Sequence, residues 1–215
     1  MSTIKKIGMM AIGVYIALIN AIPAKAADAT VEIVSGADAN SNVSTTIDTK
    51  LSGEIAKRAN FFLRNRTTLD DSRMVGSFTS VDLSYALGKG FDAVAETQYV
   101  PGSELDARLG IQYFREAGKN LTAYALITRN FSENPNTEFT GVLGYTKGIG
   151  GKWKLAGRME EVVNMTDNSY NYDLTRMRLG IGRGKFTIGP AADISGIGSG
   201  KRPTYVLGGF ASVKF

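Results

Sequence analysis

The chain has 215 residues and a net charge of +5, with no cysteine and no histidine. Without cysteine it has no disulfide framework, and lipid attachment through a cysteine is excluded. Without either residue the common transition-metal sites are excluded too, and the sequence predicts no cofactor.

The segment 1–26 has the pattern of a cleaved signal peptide. Lys5 and Lys6 precede an apolar run over 7–22, and the small-x-small triplet Ala24-Lys25-Ala26 closes the segment. The run is shorter than the ~20 residues of a membrane-spanning helix. Removing the three lysines of this segment leaves a net charge of +2, so nucleic acid is not an expected partner.

The segment 27–58 allows two interpretations. Thr30 to Val34 and Val43 to Leu51 could form an extra hairpin. Ile47, Leu51 and Ile55 recur at four-residue spacing, which also fits one face of a helix. We favour a partly ordered periplasmic arm here, with the hairpin as the alternative.

From residue 59 to 215 the chain breaks into segments in which apolar and polar residues alternate, the period of a strand with two different faces. The faces of 121–131 are ambiguous, because Tyr124 and Leu126 compete with Ile127. We count ten strands, at 60–66, 75–87, 91–99, 105–113, 121–131, 139–145, 153–159, 177–181, 186–194 and 205–215.

The connections alternate in character, which predicts the topology. Compact glycine-containing turns occur at 88–90, 117–119, 148–151 and 183–185, while longer polar connections occur at 67–72, 130–136, 164–169 and 196–203. The connection 100–103 is a short exception. Short turns at one rim and long loops at the other are typical of an up-and-down antiparallel membrane barrel. The predicted fold is therefore all-β, a transmembrane barrel of about ten strands, or twelve if 27–58 adds a hairpin.

Lipid is the predicted environment of the apolar face. No segment after residue 26 is apolar for ~18 residues, and a closed barrel is the other structure that satisfies every backbone group in lipid. A soluble barrel would alternate in the same way. Aromatic residues near the ends of the apolar stripes favour lipid: Tyr85, Phe91, Tyr99, Tyr113, Phe139, Tyr145, Trp153, Phe186, Tyr205 and Phe215.

The last strand gives the most specific signal. Tyr205, Leu207, Val213 and the final residue Phe215 share one face with Gly209 and Ala211. This pattern resembles the carboxy-terminal assembly signal of bacterial outer-membrane β-barrel proteins, although the two small residues depart from the bulkier usual pattern. The resemblance implies an outer-membrane location, with membrane lipid and the barrel assembly machinery as partners.

Two acids test the assignment of faces. Glu161 and Asp173 fall on the face predicted to meet lipid, where a charge near the midplane is costly. Both flank the connection 164–169, so we expect them above the hydrocarbon band or at a bulge.

The sequence predicts no enzyme. The outer-membrane barrel enzymes, including phospholipase, palmitoyltransferase, deacylase and omptin protease families, rely on a histidine, which this chain lacks. Glu160 and Glu161 are adjacent in a strand and point to opposite faces. No spaced carboxylate loop indicates calcium, so neither catalytic nor metal residues are assigned.

The charges predicted to face the lumen are sorted by strand. Asp82, Asp92, Glu96 and Asp106 are accompanied by one base, Arg108, whereas Lys154, Arg158, Arg176 and Arg178 are accompanied by one acid, Glu160. In a ring the two groups would face each other. They could create a transverse field in an open passage for small polar solutes, or pair and plug a narrow lumen.

Three functions of different classes therefore remain. The chain is a small porin-like channel, a non-conducting structural or binding barrel that works through the loops 130–136 and 164–169, or a soluble periplasmic ligand carrier.

Overall fold

A computed structural model describes residues 28–70, 73–198 and 203–215. The predicted signal peptide lies outside these ranges. The described residues form twelve strands: β1 (Asp28–Ala37), β2 (Val43–Ala56), β3 (Ala59–Asp70), β4 (Arg73–Gly88), β5 (Phe91–Tyr99), β6 (Asp106–Ala117), β7 (Leu121–Asn130), β8 (Asn136–Gly150), β9 (Trp153–Thr166), β10 (Tyr170–Arg183), β11 (Phe186–Ile197) and β12 (Thr204–Lys214).

The strands form one closed barrel. Each pairs antiparallel with its neighbour in sequence, and β12 pairs with β1. Closure leaves no row of unpaired backbone groups, as a membrane-spanning sheet requires. No described helix is long and apolar enough to cross a membrane.

The all-β barrel prediction is confirmed, but the preferred count of ten strands is wrong and the alternative of twelve is right. Residues 28–56 form the hairpin β1–β2, which closes the ring against β12 and β3. Ile47 and Ile55 point outward and are exposed. Residues eight positions apart lie on the same face of a strand and also on the same side of a helix. The spacing of the two isoleucines therefore fits both structures.

In the twelve-strand ring the two kinds of connection still lie at opposite rims of the barrel. Tight turns follow the even-numbered strands, and longer connections follow β1, β5, β7 and β11. The predicted connection 67–72 is wrong in its bounds, because β3 continues to Asp70 and only two residues separate it from β4. In the turn after β4, Gly88, Lys89 and Gly90 all have positive φ, of 112°, 55° and 85°. Glycine accepts this conformation without the steric cost that a side chain adds.

The outer face of the barrel is apolar. Leu83, Leu109, Leu179 and Ile188 are each more than half exposed, which suits lipid rather than water. In β7 the ambiguity resolves: Leu126 is buried inside, and Ile127 is 52% exposed on the outside.

Aromatic side chains mark both ends of this apolar band. Tyr99, Phe139 and Tyr205 lie near the long-loop rim, and the seven other aromatics named in the sequence analysis lie towards the tight-turn rim. Basic side chains cover some of the latter, with Arg183 5.5 Å above the Trp153 ring. Aromatic rings and basic groups at this level are typical of the boundary between lipid and water.

The two acids on the outer face lie in the long-loop half of the barrel. Glu161 accepts a hydrogen bond from Thr175 Oγ1 at 2.5 Å, and the register of β9 with β10 shifts between Tyr170 and Tyr172, close to Asp173. Both acids are half-buried. The bulge is thus next to Asp173, and a hydroxyl donor partly satisfies Glu161.

Phe215 closes the seam between the last strand and the first. Its backbone N–H donates to the Ala29 carbonyl at 2.8 Å, and Lys185 Nζ lies 5.9 Å from its ring centroid. The side chain is 61% exposed on the apolar face.

We expect deletion of Phe215 to lower the yield of folded, heat-modifiable protein in the membrane while export continues. The deletion removes one hydrogen bond of the seam and one aromatic side chain at the lipid boundary. Lys214→Ala is the control, because Lys214 is exposed and its pair with Asp28 is a surface salt bridge. An unchanged yield after the deletion would contradict this role of the terminus.

Candidate functional site

The site is the lumen, where an ion pair joins opposite walls. Glu160 of β9 is 1% exposed, and Arg64 Nη1 of β3 donates to its Oε1 at 2.8 Å. In a ring of twelve strands, β3 and β9 are six positions apart and therefore diametrically opposed. Arg158 and Arg176 also donate to Glu160, so three guanidinium groups surround one carboxylate.

Asp48 extends this cluster on the other side of Arg64. Arg64 Nε and Nη2 donate to the two Asp48 oxygens at 2.9 and 2.5 Å, and Lys50 Nζ lies 3.2 Å from Asp48. A bidentate arginine–carboxylate pair fixes the geometry of both groups. We call the four residues Arg64, Glu160, Arg158 and Arg176 the ion-pair bridge.

On one side of the bridge the lumen is filled by further ion pairs. Arg178 Nε donates to Glu32 at 3.1 Å and Nη1 to Asp193 at 2.6 Å, while Arg66 approaches Asp193 at 3.3 Å. The space between Glu32, Asp48, Arg178 and the bridge has no room for a water molecule. We call this side, formed by Glu32, Asp48, Arg178 and Asp193, the packed half.

On the other side a cavity of about 880 Å³ runs along the lumen from the tight-turn rim. It is lined by residues of β1 to β10 and by none of β11 or β12 within the described ranges. Volumes of about 300–1,000 Å³ accommodate small-molecule ligands. We call this cavity the open half.

The walls of the open half differ in charge. Carboxylates of β4, β5 and β8 line one wall, and bases of β2, β3, β9 and β10 line the other. The acidic wall consists of Asp82, Asp92, Glu96 and Glu138, and the basic wall of Lys50, Arg64, Arg66, Arg158 and Arg176. Three acids lie on the same side as the bases and offset part of their charge: the bridge acid Glu160, Asp28 of β1 and Glu54 of β2.

A hydrogen-bonded layer fills the long-loop half of the lumen beside β5 to β9. Glu138 accepts hydrogen bonds from Gln98 Nε2 at 3.0 Å, Asn164 Nδ2 at 3.2 Å and Tyr172 OH at 2.5 Å. Arg108, 2% exposed, donates to Asn136 Oδ1 at 2.7 Å and Asp106 Oδ2 at 2.6 Å. The cavity reaches this layer at Glu138 and Tyr172, and Arg66, Phe78 and Leu174 also line it.

The predicted lumen charges divide between these regions. Asp82, Asp92, Glu96, Arg158, Glu160 and Arg176 line the open half. Asp106 and Arg108 belong to the hydrogen-bonded layer, and Arg178 lies in the packed half. Lys154 is half-buried on the inner side of β9 and does not line the cavity.

Several partners of these charges were missed from the sequence. Arg64, Glu138 and Asp193 each have an outward apolar neighbour, so strand parity could have identified them. Arg66 has the polar neighbours Asn65 and Thr67 and carries no such signal. Glu32, Asp48 and Lys50 lie in β1 and β2, which had no assigned faces. Most of the acids that neutralise the basic strands come from this second set and from Asp193.

The long-loop rim contains an exposed ion pair. Arg129, at the end of β7, donates to both Asp167 oxygens at 3.0 and 2.9 Å. These hydrogen bonds lower the pKa of Asp167. Phe131 beside them is 72% exposed. The pair ties the β9–β10 connection to β7 at the rim.

Comparisons with known proteins show the fold. No family model matches the chain, and no curated protein sequence matches it. Among solved structures it is similar to the KdgM porin (TM-score 0.52, 13% identity, covering 86% of this chain and 99% of that one). It is also similar to the NanC porin (TM-score 0.53, 9% identity, covering 85% and 98%). A further structure of the KdgM porin, in complex with disordered oligogalacturonate, matches at a TM-score of 0.52, with 14% identity and coverage of 86% and 99%.

At such low identity these likenesses establish a shared architecture. A closed twelve-strand barrel with an apolar exterior, a charged interior and the architecture of two porins has the fold of bacterial outer-membrane β-barrels.

Removal of Arg178 should destabilise the barrel more than removal of Arg158, its direct cross-strand partner. Arg178→Met leaves Glu32 buried without its cation, a loss of about 3–5 kcal/mol in the free energy of unfolding. Arg158→Met leaves Glu160 with Arg64 and Arg176, and the Arg158 side chain is already 33% exposed. Urea unfolding followed by fluorescence of Trp153, the only tryptophan, measures both; equal losses would contradict the division into halves.

Proposed function

We propose that the protein is a narrow channel of the outer membrane that admits small polar or charged solutes through the open half. The observation that supports this most is the water-accessible cavity of about 880 Å³ beside the ion-pair bridge. The bridge narrows the lumen without filling it. The opposed walls create a transverse field, which favours solutes able to interact with both signs of charge.

We infer the route to the membrane from the two ends of the chain. The segment 1–26 directs export and is cleaved, and the closing strand with Tyr205, Leu207, Val213 and Phe215 engages the barrel assembly machinery. The aromatic band then lies at the boundary between lipid and water. Mass spectrometry of the outer-membrane form should find Ala27 as the first residue; a retained Met1 would contradict this step.

The solutes that we expect this lumen to admit are not simple polyanions. A KdgM porin structure contains oligogalacturonate, a carboxylated sugar oligomer. In this chain Asp82 and Glu96 line the cavity opposite the arginines, and these carboxylates would repel successive negative groups. Small solutes with balanced or mixed charge fit such a lumen better.

A non-conducting barrel is the second candidate. The packed half and the hydrogen-bonded layer around Glu138 favour it, because both reduce the open cross-section. In that case the exposed loops, with Phe131 and the Arg129–Asp167 pair, form the working surface. A soluble carrier would have to expose the apolar band to water, and no catalytic role is proposed.

Single-channel recording of the refolded protein separates the two candidates. We expect discrete conductance from the wild type and, for Arg158→Gln, a reversal potential shifted towards cations under a KCl gradient. The change removes one positive charge from a wall of the open half, and lumen charges tune selectivity. Arg183→Gln is the matched control, since Arg183 lies over Trp153 on the outside.

No current from the correctly folded wild type would contradict the channel. Conductance whose selectivity is the same in Arg158→Gln and the wild type would show that ions do not pass along the basic wall.

A further inference from the structure

Asp82 differs from the other buried carboxylates of the described residues. It is 6% exposed and lines the open half, but its Oδ1 atom has no hydrogen-bond partner. It takes part in none of the salt bridges found in the described part of the chain. A buried carboxylate without a donor or cation is costly.

Glu96 lies directly opposite Asp82 in the register of β4 and β5. Gln98 Nε2 donates to its Oε1 at 2.9 Å. Its Oε2 has no hydrogen-bond partner and lies 3.9 Å from Arg108 Nε. Directly opposed side chains have Cβ atoms about 4.5–5.5 Å apart, and like charges in this position destabilise a sheet. A positive group between the two would offset both costs.

The surroundings favour an ammonium group over a metal ion. No set of three or more Asp, Glu, His or Cys in the described ranges is placed to hold a metal. Ser80 and Ser84 lie two residues before and after Asp82 on the inner face of β4 and line the same cavity. Two carboxylates and two hydroxyls provide acceptors for the three N–H donors of an ammonium group.

We propose that Asp82 and Glu96 form a binding site for the ammonium group of a small solute in the open half. Passage of that solute rests on the proposed channel function, whereas its binding at Asp82 and Glu96 is independent of conduction. Each of the two carboxylates supplies an oxygen that has no hydrogen-bond donor. The guanidinium group of Arg158, whose side chain is 33% exposed, is suited to hold a carboxylate of the same solute on the facing wall.

Inhibition of the K⁺ current by added cations tests the site. We expect methylammonium chloride to reduce the current of the wild type, and tetramethylammonium, which lacks N–H donors, to reduce it less. Asp82→Asn should raise the half-inhibiting concentration about tenfold, the equivalent of one charge-assisted hydrogen bond. Glu104→Gln, which removes an exposed loop carboxylate, is the control and should behave as the wild type.

Equal inhibition of the wild type and Asp82→Asn would overturn the site. Stronger inhibition by CaCl₂ than by methylammonium, abolished in Asp82→Asn, would overturn the ammonium assignment in favour of a metal ion. Asp82→Asn itself removes a like-charge contact, so its urea midpoint should not fall below that of the wild type.

A barrel that passes no current contradicts the proposed function but leaves the site testable. The melting temperature of the folded protein in detergent should then rise with methylammonium chloride in the wild type and Glu104→Gln but not in Asp82→Asn, because a ligand of the folded state stabilises it. The same response in all three proteins, or in none, would overturn the site.

Discussion

The contact on which the lumen depends is the one between Arg64 and Glu160. It joins two strands that are diametrically opposed in the ring, at a distance of 2.8 Å. A barrel of about eight strands has an interior that side chains fill, and the diameter grows with strand number, so only long side chains can meet across the twelve-strand lumen. Because the bridge crosses that interior, it separates a region packed with ion pairs from a region large enough for water and a solute.

The separation gives the two halves different physical properties. In the packed half each buried charge has a partner within hydrogen-bond distance, so a substitution there acts on stability. In the open half the acids face the arginines across the cavity, so a substitution acts on the field that a solute there meets. Arg158 and Arg178 are direct cross-strand partners, and yet only Arg158 lines the open half.

Strand parity made the barrel and many of its lumen charges predictable from the sequence. The period of two identified Asp82, Glu96, Arg158, Glu160 and Arg176 as inward, and the glycine turns gave the topology. The strand count failed at β1 and β2, where isoleucines at a spacing of eight fit either period. The pairing of charges was not predictable, since it depends on how far arginines reach across the lumen, and parity gives no distance.

Thiol accessibility measures the division of the lumen most directly, because the chain has no cysteine of its own. Thr140 lines the open half. Thr46 points inward and is 8% exposed, and its hydroxyl shares a hydrogen bond with the Thr68 hydroxyl outside that cavity. A water-soluble methanethiosulfonate should label Thr140→Cys much faster than Thr46→Cys in the folded barrel, as read by mass spectrometry. Equal rates, or faster labelling of Thr46→Cys, would contradict a lumen with one open and one packed half.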